Sequence, residues 1–181
     1  MARIGVLGIG NVLMGDDALG PYVVKLLDSM YEVPADVELV DLGTPGADLP
    51  LYLDSLDAAV IVDTVKVSGE PGEIHLLDKA QLVARAPVLP ASPHEPGLRE
   101  ALFTLEFQGR APREVRLVGV VPSSVKMEVG LSPAARAAVP AALARVVREL
   151  ELLGVGVRER QEPRPLDIWW ERQPLSGGGG S

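Results

Sequence analysis

Two short, unbroken apolar segments constrain the fold more than any other feature of the chain. They are Ile4–Gly8 and Ala58–Val62, and neither contains a charged or strongly polar residue. Continuous apolar runs of this length are typical of strands that are buried on both faces. Such strands belong to parallel sheets with helices packed on each side.

Strands and helices alternate along the rest of the chain. We predict further strands at Val37–Val40, Ile74–Leu77 and Val115–Val121, with helices from Ala18 onward, at Ala47–Leu53 and at Gly97–Phe107. This alternation predicts an α/β fold in three layers, with a mostly parallel twisted sheet flanked by helices on both faces.

The last helix has the clearest boundaries. Ser132 is a good N-cap, Pro133 suits the first helical position and Gly154 suits the C-terminal cap. Pro140 within it is expected to kink the helix. We assign residues 1–156 to one α/β domain, which is long enough for a full core.

Residues 157–181 differ in composition, being rich in Pro, Arg and Glu and ending in a Gly-Ser segment that resembles an engineered linker. A disordered extension is the favoured prediction for this tail. The alternative is that the pair Trp169 and Trp170 docks in a surface groove, because exposed indoles are costly to leave in water.

Charge and cysteine content narrow the function. The chain has 17 Lys and Arg against 25 Asp and Glu, and its net charge of -8 argues against a nucleic-acid partner. It has no cysteine, so a metal would meet only oxygen and nitrogen ligands. No apolar stretch reaches the roughly 20 residues of a membrane span, and we expect a cytoplasmic protein.

The glycine-rich segment after the first strand invites a nucleotide-binding interpretation. Leu13 stands where G-x-G-x-x-G needs its third glycine, and Asp16 and Asp17 stand where a P-loop needs Lys and Ser or Thr. Two carboxylates repel phosphate but attract a cation. Helix capping explains one of these acids, which leaves the other for function.

Candidate site residues lie at predicted strand ends. Asp41 and Asp63 each follow a strand, and the loop carrying Asp17 follows another, so all three reach one rim of the sheet. His94 lies in a proline-bracketed loop, whereas His75 is predicted to be a surface residue of a strand. Asp17, Asp63 and His94 form a possible three-ligand metal site.

Several segments together resemble the endopeptidases that mature [NiFe] hydrogenases. They are residues 8–21 (GIGNVLMGDDALGP), 41–46 (DLGTPG), 62–63 (VD), 92–94 (SPH) and 118–122 (VGVVP). The resemblance covers roughly residues 3–154. The chain departs from the pattern at Leu42, where many members have glycine.

The resemblance implies a function and a site. Such an enzyme, often grouped with aspartic-type endopeptidases, removes the C-terminal extension of a hydrogenase large-subunit precursor after nickel insertion. Its metal-binding residues fall on Asp17, Asp63 and His94. The nickel is supplied by the substrate, although other divalent metals can occupy the site, and a monomer is expected.

The chemistry of cleavage stays open at this point. Asp17, Asp63 and His94 are candidate catalytic residues, and Asp41 is either a base, a substrate-orienting group or a structural residue. With no Cys and no Ser paired with a base, an activated water is the remaining nucleophile. The alternatives are a self-contained metallohydrolase and, less favoured, a nucleotide-binding module.

Overall fold

The computed structural model describes residues 2–84 and 95–172. Its strands are β1 (Ile4–Ile9), β2 (Tyr31–Glu32), β3 (Val37–Gly43), β4 (Ala58–Thr64), β5 (Ile74–Asp78), β6 (Glu114–Val120) and β7 (Arg158–Glu159). Its helices are α1 (Leu19–Met30), α2 (Leu49–Leu53), α3 (Lys79–Ala84), α4 (Glu95–Phe107) and α5 (Pro133–Leu152). Short 3-10 turns cover Gly15–Ala18, Gly46–Asp48 and Trp169–Glu171.

Five of these strands form the central sheet, in the order β3-β1-β4-β6-β5. The first four are parallel to their neighbours, and β5 pairs antiparallel with β6 at one edge. The predicted mostly parallel sheet is therefore confirmed. Because β1 and β4 are central, both of their faces must be covered, which explains their unbroken apolar sequences.

Two hydrophobic cores lie on opposite faces of the sheet. On one face α1 and α5 pack on alternate residues of β4 such as Val60 and Val62. On the other face α2, α3 and α4 pack on Ala59 and Ile61. Side chains of a strand alternate between faces, so β4 divides its apolar residues between both cores. The predicted three-layer architecture is confirmed.

The predicted boundaries of the last helix are also confirmed. The Ser132 hydroxyl accepts a hydrogen bond from the backbone N–H of Ala135 at 3.2 Å. Gly154 adopts φ +82°, and the N–H of Val155 donates to the carbonyl of Leu150 at 2.9 Å. These are the contacts of an N-cap and a left-handed C-terminal cap. The kink predicted at Pro140 stays a prediction.

Three local details could not be taken from the sequence patterns. Strands β3 and β4 extend to Gly43 and Thr64, so Asp41 and Asp63 lie within strands rather than after them. The short helix α3 has too few residues for a recognisable periodicity and was not predicted. Leu42 has no positive φ, since it continues the extended strand and the left-handed residues nearby are Gly43 and Gly46.

The C-terminal tail is ordered from residue 157 to residue 172, and the prediction of a disordered extension is wrong for this part. Trp170 is only 4% exposed within the core between α1 and α5. Its ring meets Trp169 edge-on at 5.7 Å, and Nζ of Lys25 lies 5.9 Å from its centroid. Docking is thus confirmed for Trp170, whereas Trp169 stays half exposed. The Gly-Ser end lies outside the described residues.

The tail runs along α1 from its C-terminal end toward its N-terminal end. The N–H of Arg160 donates to the carbonyl of Met30 at 2.7 Å. The N–H of Arg164 donates to the carbonyl of Ser29 at 2.8 Å. Further along, Glu171 accepts from Arg136 at 2.7 Å, a hydrogen bond that raises the pKa of this guanidinium. The tail therefore contacts both α1 and α5, the two helices on this face of the sheet. None of the described helices is long and apolar enough to cross a membrane.

Candidate active site at the carboxyl edge of the sheet

The glycines after β1 allow close packing at the carboxyl edge of the sheet. A Cβ on Gly20 would lie 2.3 Å from the carbonyl oxygen of Ile9, so α1 begins directly against the strand backbone. A Cβ on Gly10 would lie 1.8 Å from the carbonyl oxygen of Asp17, and Gly10 has φ +146°. Only glycine fits such contacts, and they fold the loop tightly over Asp17.

The loop does not present its backbone N–H groups to a ligand. Among residues 10–17, hydrogen bonds within the protein use the N–H groups of Gly10, Asn11, Leu13, Met14, Gly15, Asp16 and Asp17. A phosphate cradle requires such groups to point at the ligand. The nucleotide-binding interpretation therefore fails on hydrogen bonding as well as on charge.

Asp16 is a structural residue. Its Oδ2 accepts from the N–H groups of Ser123 and Ser124 at 2.7 and 3.3 Å and from the Ser132 hydroxyl at 2.9 Å. Its Oδ1 accepts from the N–H of Ser132 at 2.7 Å. The carboxylate thus joins the glycine loop to the β6–α5 connection and to the N-cap of α5. It is not the cap of the short turn in which it lies.

Asp17 and Asp63 are brought together through Thr64. The Thr64 hydroxyl donates to Oδ1 of Asp17 at 3.1 Å, and its backbone N–H donates to Oδ1 of Asp63 at 2.8 Å. The N–H of Asn11 donates to Oδ2 of Asp17 at 2.8 Å. The two acids are 5% and 2% exposed. The structure therefore confirms that the two acids meet at one rim.

This arrangement suits a cation. Two acidic side chains at one rim supply negative charge and hard oxygen donors, which divalent cations prefer. Hydrogen-bond donors from Thr64 and Asn11 fix the directions of the carboxylates.

His94 lies outside the described residues, directly before the first residue of α4 in the sequence. Among residues 2–84 and 95–172, no group of three His, Cys, Asp or Glu side chains is placed to hold a metal. The third predicted ligand therefore stays a prediction. His75, on β5, is 29% exposed and its Nε2 lies 3.1 Å from Oε1 of Glu73, so it is partly buried rather than the outward surface residue that was predicted.

Asp41 does not join the two buried acids. It pairs with Gly8 in register, so β1 separates it from β4 by roughly 10 Å. Its exposed side chain accepts from the N–H of Gly43 at 3.1 Å and lines a groove of about 500 Å³ beside Val24 and Lys25. A structural role at the strand end is the interpretation that these contacts favour.

Sequence reasoning missed Thr64 and Asn11, the two residues that orient Asp17. A signal for Thr64 is present, because a polar residue continues an otherwise apolar buried strand beyond Asp63. Asn11 acts through its backbone N–H, and its Oδ1 accepts from the N–H of Leu13 at 3.0 Å. A backbone contact of this kind leaves no trace in residue type.

Comparison with known proteins identifies the fold and the family. The family model for hydrogenase maturation proteases matches residues 21–149. The chain is 36% identical over 160 residues to the hydrogenase 2 maturation protease of Escherichia coli (strain K12), covering 88% of this chain and 97% of that protein. It is 31% identical over 161 residues to the hydrogenase expression/formation protein HupD of Rhizobium leguminosarum bv. viciae, covering 88% and 80%.

A solved structure agrees. The hydrogenase maturating endopeptidase HybD from E. coli superimposes with a TM-score of 0.81 at 36% identity, covering 87% of this chain and 98% of that one. The matched regions cover most of each relative's length. The chain belongs to the hydrogenase maturation protease family and is a hydrogenase maturation endopeptidase.

Proposed function

We propose that this endopeptidase removes the C-terminal extension of a [NiFe]-hydrogenase large-subunit precursor once nickel has been inserted. Asp17, Asp63 and His94 recognise the nickel in this proposal. The observation that carries it is the buried pair of carboxylates, Asp17 and Asp63, which Thr64 holds at the carboxyl edge of the sheet. Family membership supports a hydrogenase precursor as the substrate.

Nickel in this scheme belongs to the substrate and acts as a checkpoint. Substrate cysteines hold the ion, and the three protease side chains complete its coordination with oxygen and nitrogen ligands. A nickel-free precursor brings no cation to these carboxylates, so it gains no metal–ligand contact by docking there. The free protease therefore does not need to hold metal tightly, although another divalent ion can occupy the same ligands.

Recognition of the nickel also positions the reaction. A substrate that is anchored at its metal presents one backbone segment to the rim, which replaces a random encounter with a fixed geometry. The chain has no Cys, and water is the nucleophile for hydrolysis in this proposal. A carboxylate at the rim accepts the proton of this water. Asp41 has no part in proton transfer in this proposal, because β1 lies between its strand and β4.

The experiment that tests the site replaces His94 with alanine. We expect His94→Ala to abolish cleavage of the nickel-loaded precursor while circular dichroism and the urea unfolding midpoint stay close to wild type. His75→Ala serves as the matched control, since His75 lies on β5 beside Glu73. Normal processing by His94→Ala would show that His94 is not part of the site.

A self-contained metallohydrolase is the competing function, and the buried acid pair is the observation in its favour. Metal analysis of the purified protein separates the two schemes. Substoichiometric metal together with full activity on a nickel-loaded precursor supports recognition of substrate nickel. Stoichiometric metal that must be present for cleavage of any precursor supports the metallohydrolase.

A further inference from the structure

Three exposed apolar side chains beside the glycine loop have no role in the core. Leu13 is 50% exposed, Met127 is 87% exposed and Val129 is 53% exposed. Leu13 belongs to the glycine loop, whereas the other two belong to the connection between β6 and α5. We name these three residues the rim patch. Exposed apolar side chains that cluster mark interaction surfaces, whereas scattered ones need no explanation.

Backbone pairing brings the three residues close together. The N–H of Glu128 donates to the carbonyl of Leu13 at 3.1 Å, and the N–H of Gly15 donates to the carbonyl of Glu128 at 2.7 Å. These two bonds form a parallel bridge between Met14 and Glu128. The bridge therefore brings the turn that carries Leu13 against the segment that carries Met127 and Val129.

The rim patch is held rigidly. Gly15 adopts φ +57°, and a Cβ there would lie 3.0 Å from the carbonyl oxygen of Ser124. The buried carboxylate of Asp16 binds the N–H groups of Ser123 and Ser132 on either side of the segment that carries Met127 and Val129. A surface fixed by buried hydrogen bonds loses little conformational entropy when a partner binds.

The rim patch is also continuous with the proposed site. The N–H of Leu13 donates to Oδ1 of Asn11, and the N–H of Asn11 donates to the Asp17 carboxylate. One turn of chain therefore both orients Asp17 and carries Leu13. A protein whose metal reaches Asp17 therefore passes close to this turn. Exposed Lys126 and Glu128 give the patch polar neighbours, as at the rim of a protein interface.

We propose that the rim patch docks an apolar protein surface of the large-subunit precursor, next to the place where its nickel is presented. This inference rests on the proposed function and adds a binding surface that contacts polypeptide rather than metal. The flexible thioether side chain of Met127 adapts to such a surface. Docking through the patch contributes affinity for nickel-loaded and nickel-free precursor alike, whereas the carboxylates respond to nickel alone.

The test compares two matched double variants. Leu13→Ser with Met127→Ser removes the patch without adding charge. Leu152→Ser with Phe107→Ser removes two exposed apolar side chains at the C-terminal ends of α5 and α4, away from the carboxyl edge. The single variant Met127→Ser controls for misfolding, because Met127 is almost fully exposed and its replacement does not disturb the core. Binding of nickel-free precursor and the kinetics of cleavage of loaded precursor are both measured.

We expect the patch variant to bind nickel-free precursor about tenfold more weakly and to raise KM for the loaded precursor, with kcat unchanged. Met127→Ser alone also weakens binding of nickel-free precursor and raises KM for loaded precursor. The control variant, Leu152→Ser with Phe107→Ser, matches wild type in both measurements. Equal losses in the patch and control variants, or wild-type binding by the patch variant, would overturn the proposal. Wild-type self-association that the patch variant abolishes would assign the surface to a second copy instead.

The same experiment distinguishes failure of the docking surface from failure of the proposed function. Asp63→Asn, measured alongside, is expected to weaken binding of loaded precursor only. If wild type cleaves loaded and nickel-free precursor equally while the patch variant still weakens binding, nickel recognition is wrong and the docking surface stands.

Discussion

Asp16 and Asp17 are neighbours in sequence and nearly equal in burial, yet their surroundings differ completely. The Asp16 carboxylate accepts four hydrogen bonds from the β6–α5 connection. The Asp17 carboxylate accepts from Asn11 and from Thr64, which also contacts the second buried acid, Asp63. One carboxylate is bonded to the β6–α5 connection, and the other shares its Thr64 contact with a second buried acid.

The difference shows that burial and residue type do not distinguish a structural acid from a functional one. What distinguishes them is the partner. Four donors from the β6–α5 connection hold Asp16 against that connection, so its loss would separate two loops. Asp17 shares its Thr64 contact with a second acid, Asp63, and two acids at one rim suit a cation. Substitutions at the two positions should therefore have opposite effects on activity and stability.

The largest effect is expected for activity at Asp17. Asp17→Asn keeps the shape of the side chain but removes the charge, so kcat/KM for nickel-loaded precursor should fall roughly 1000-fold. The free energy of unfolding should change by about 1 kcal/mol or less, because the Thr64 hydroxyl can reorient toward the new amide. Urea denaturation and a cleavage assay measure the two quantities. Cleavage at the wild-type rate by this variant would show that the charge of Asp17 has no role in activity.

Asp16→Asn should give the reverse pattern. Either orientation of the amide places its NH₂ group against a backbone N–H, of Ser132 in one case and of Ser123 in the other. A buried donor without an acceptor lowers the free energy of unfolding by about 3 kcal/mol. Urea denaturation measures this loss. The folded fraction should still cleave loaded precursor within a few-fold of wild type, and a stable but inactive variant would show that Asp16 belongs to the site.

A smaller effect is expected at Thr64, the residue that connects the two acids. Thr64→Val removes the hydroxyl donor to Asp17 but keeps the backbone N–H that binds Asp63. We expect kcat/KM for loaded precursor to fall about tenfold, the equivalent of one hydrogen bond to a charged group. Thr64→Ser restores the hydroxyl and serves as the control. Equal activity of the two variants would show that the hydroxyl does not position Asp17.

The smallest effect is expected at Ser132, which caps α5 and donates to Asp16. Ser132→Ala removes the α5 cap and one donor to Asp16, which should lower the free energy of unfolding by about 1 kcal/mol. In a double-mutant cycle, Ser132→Ala and Asp16→Asn should couple by at least about 0.5 kcal/mol, whereas Ser132→Ala and Asp17→Asn should be additive. Coupling with Asp17 instead would mean that the two acids share one network.

Regular elements of the fold were predictable from sequence, because their causes are local. Unbroken apolar runs predicted β1 and β4, and Ser132, Pro133 and Gly154 predicted the ends of α5. The tail was not predictable by the same means. Its order depends on a pocket for Trp170 between α1 and α5 and on backbone pairing of Arg160 with Met30, contacts between segments distant in sequence.

The candidate site was predictable only in part. Asp17 and Asp63 were found because parallel strands bring their carboxyl ends to one edge. Asp41 was grouped with them for the same reason, although the sheet order places β1 between its strand and β4. Strand ends identify an edge but not the order along it. Asp16 and Asp17 were separable only by their partners, which are remote in sequence.

The central claim is that the buried carboxylates recognise nickel in the substrate, and the most direct measurement is cleavage of two precursors side by side. Large-subunit precursor is prepared with and without nickel, and each is incubated with wild-type protease under identical conditions. We predict release of the C-terminal extension from the loaded precursor only. Equal release from the nickel-free precursor would contradict nickel recognition.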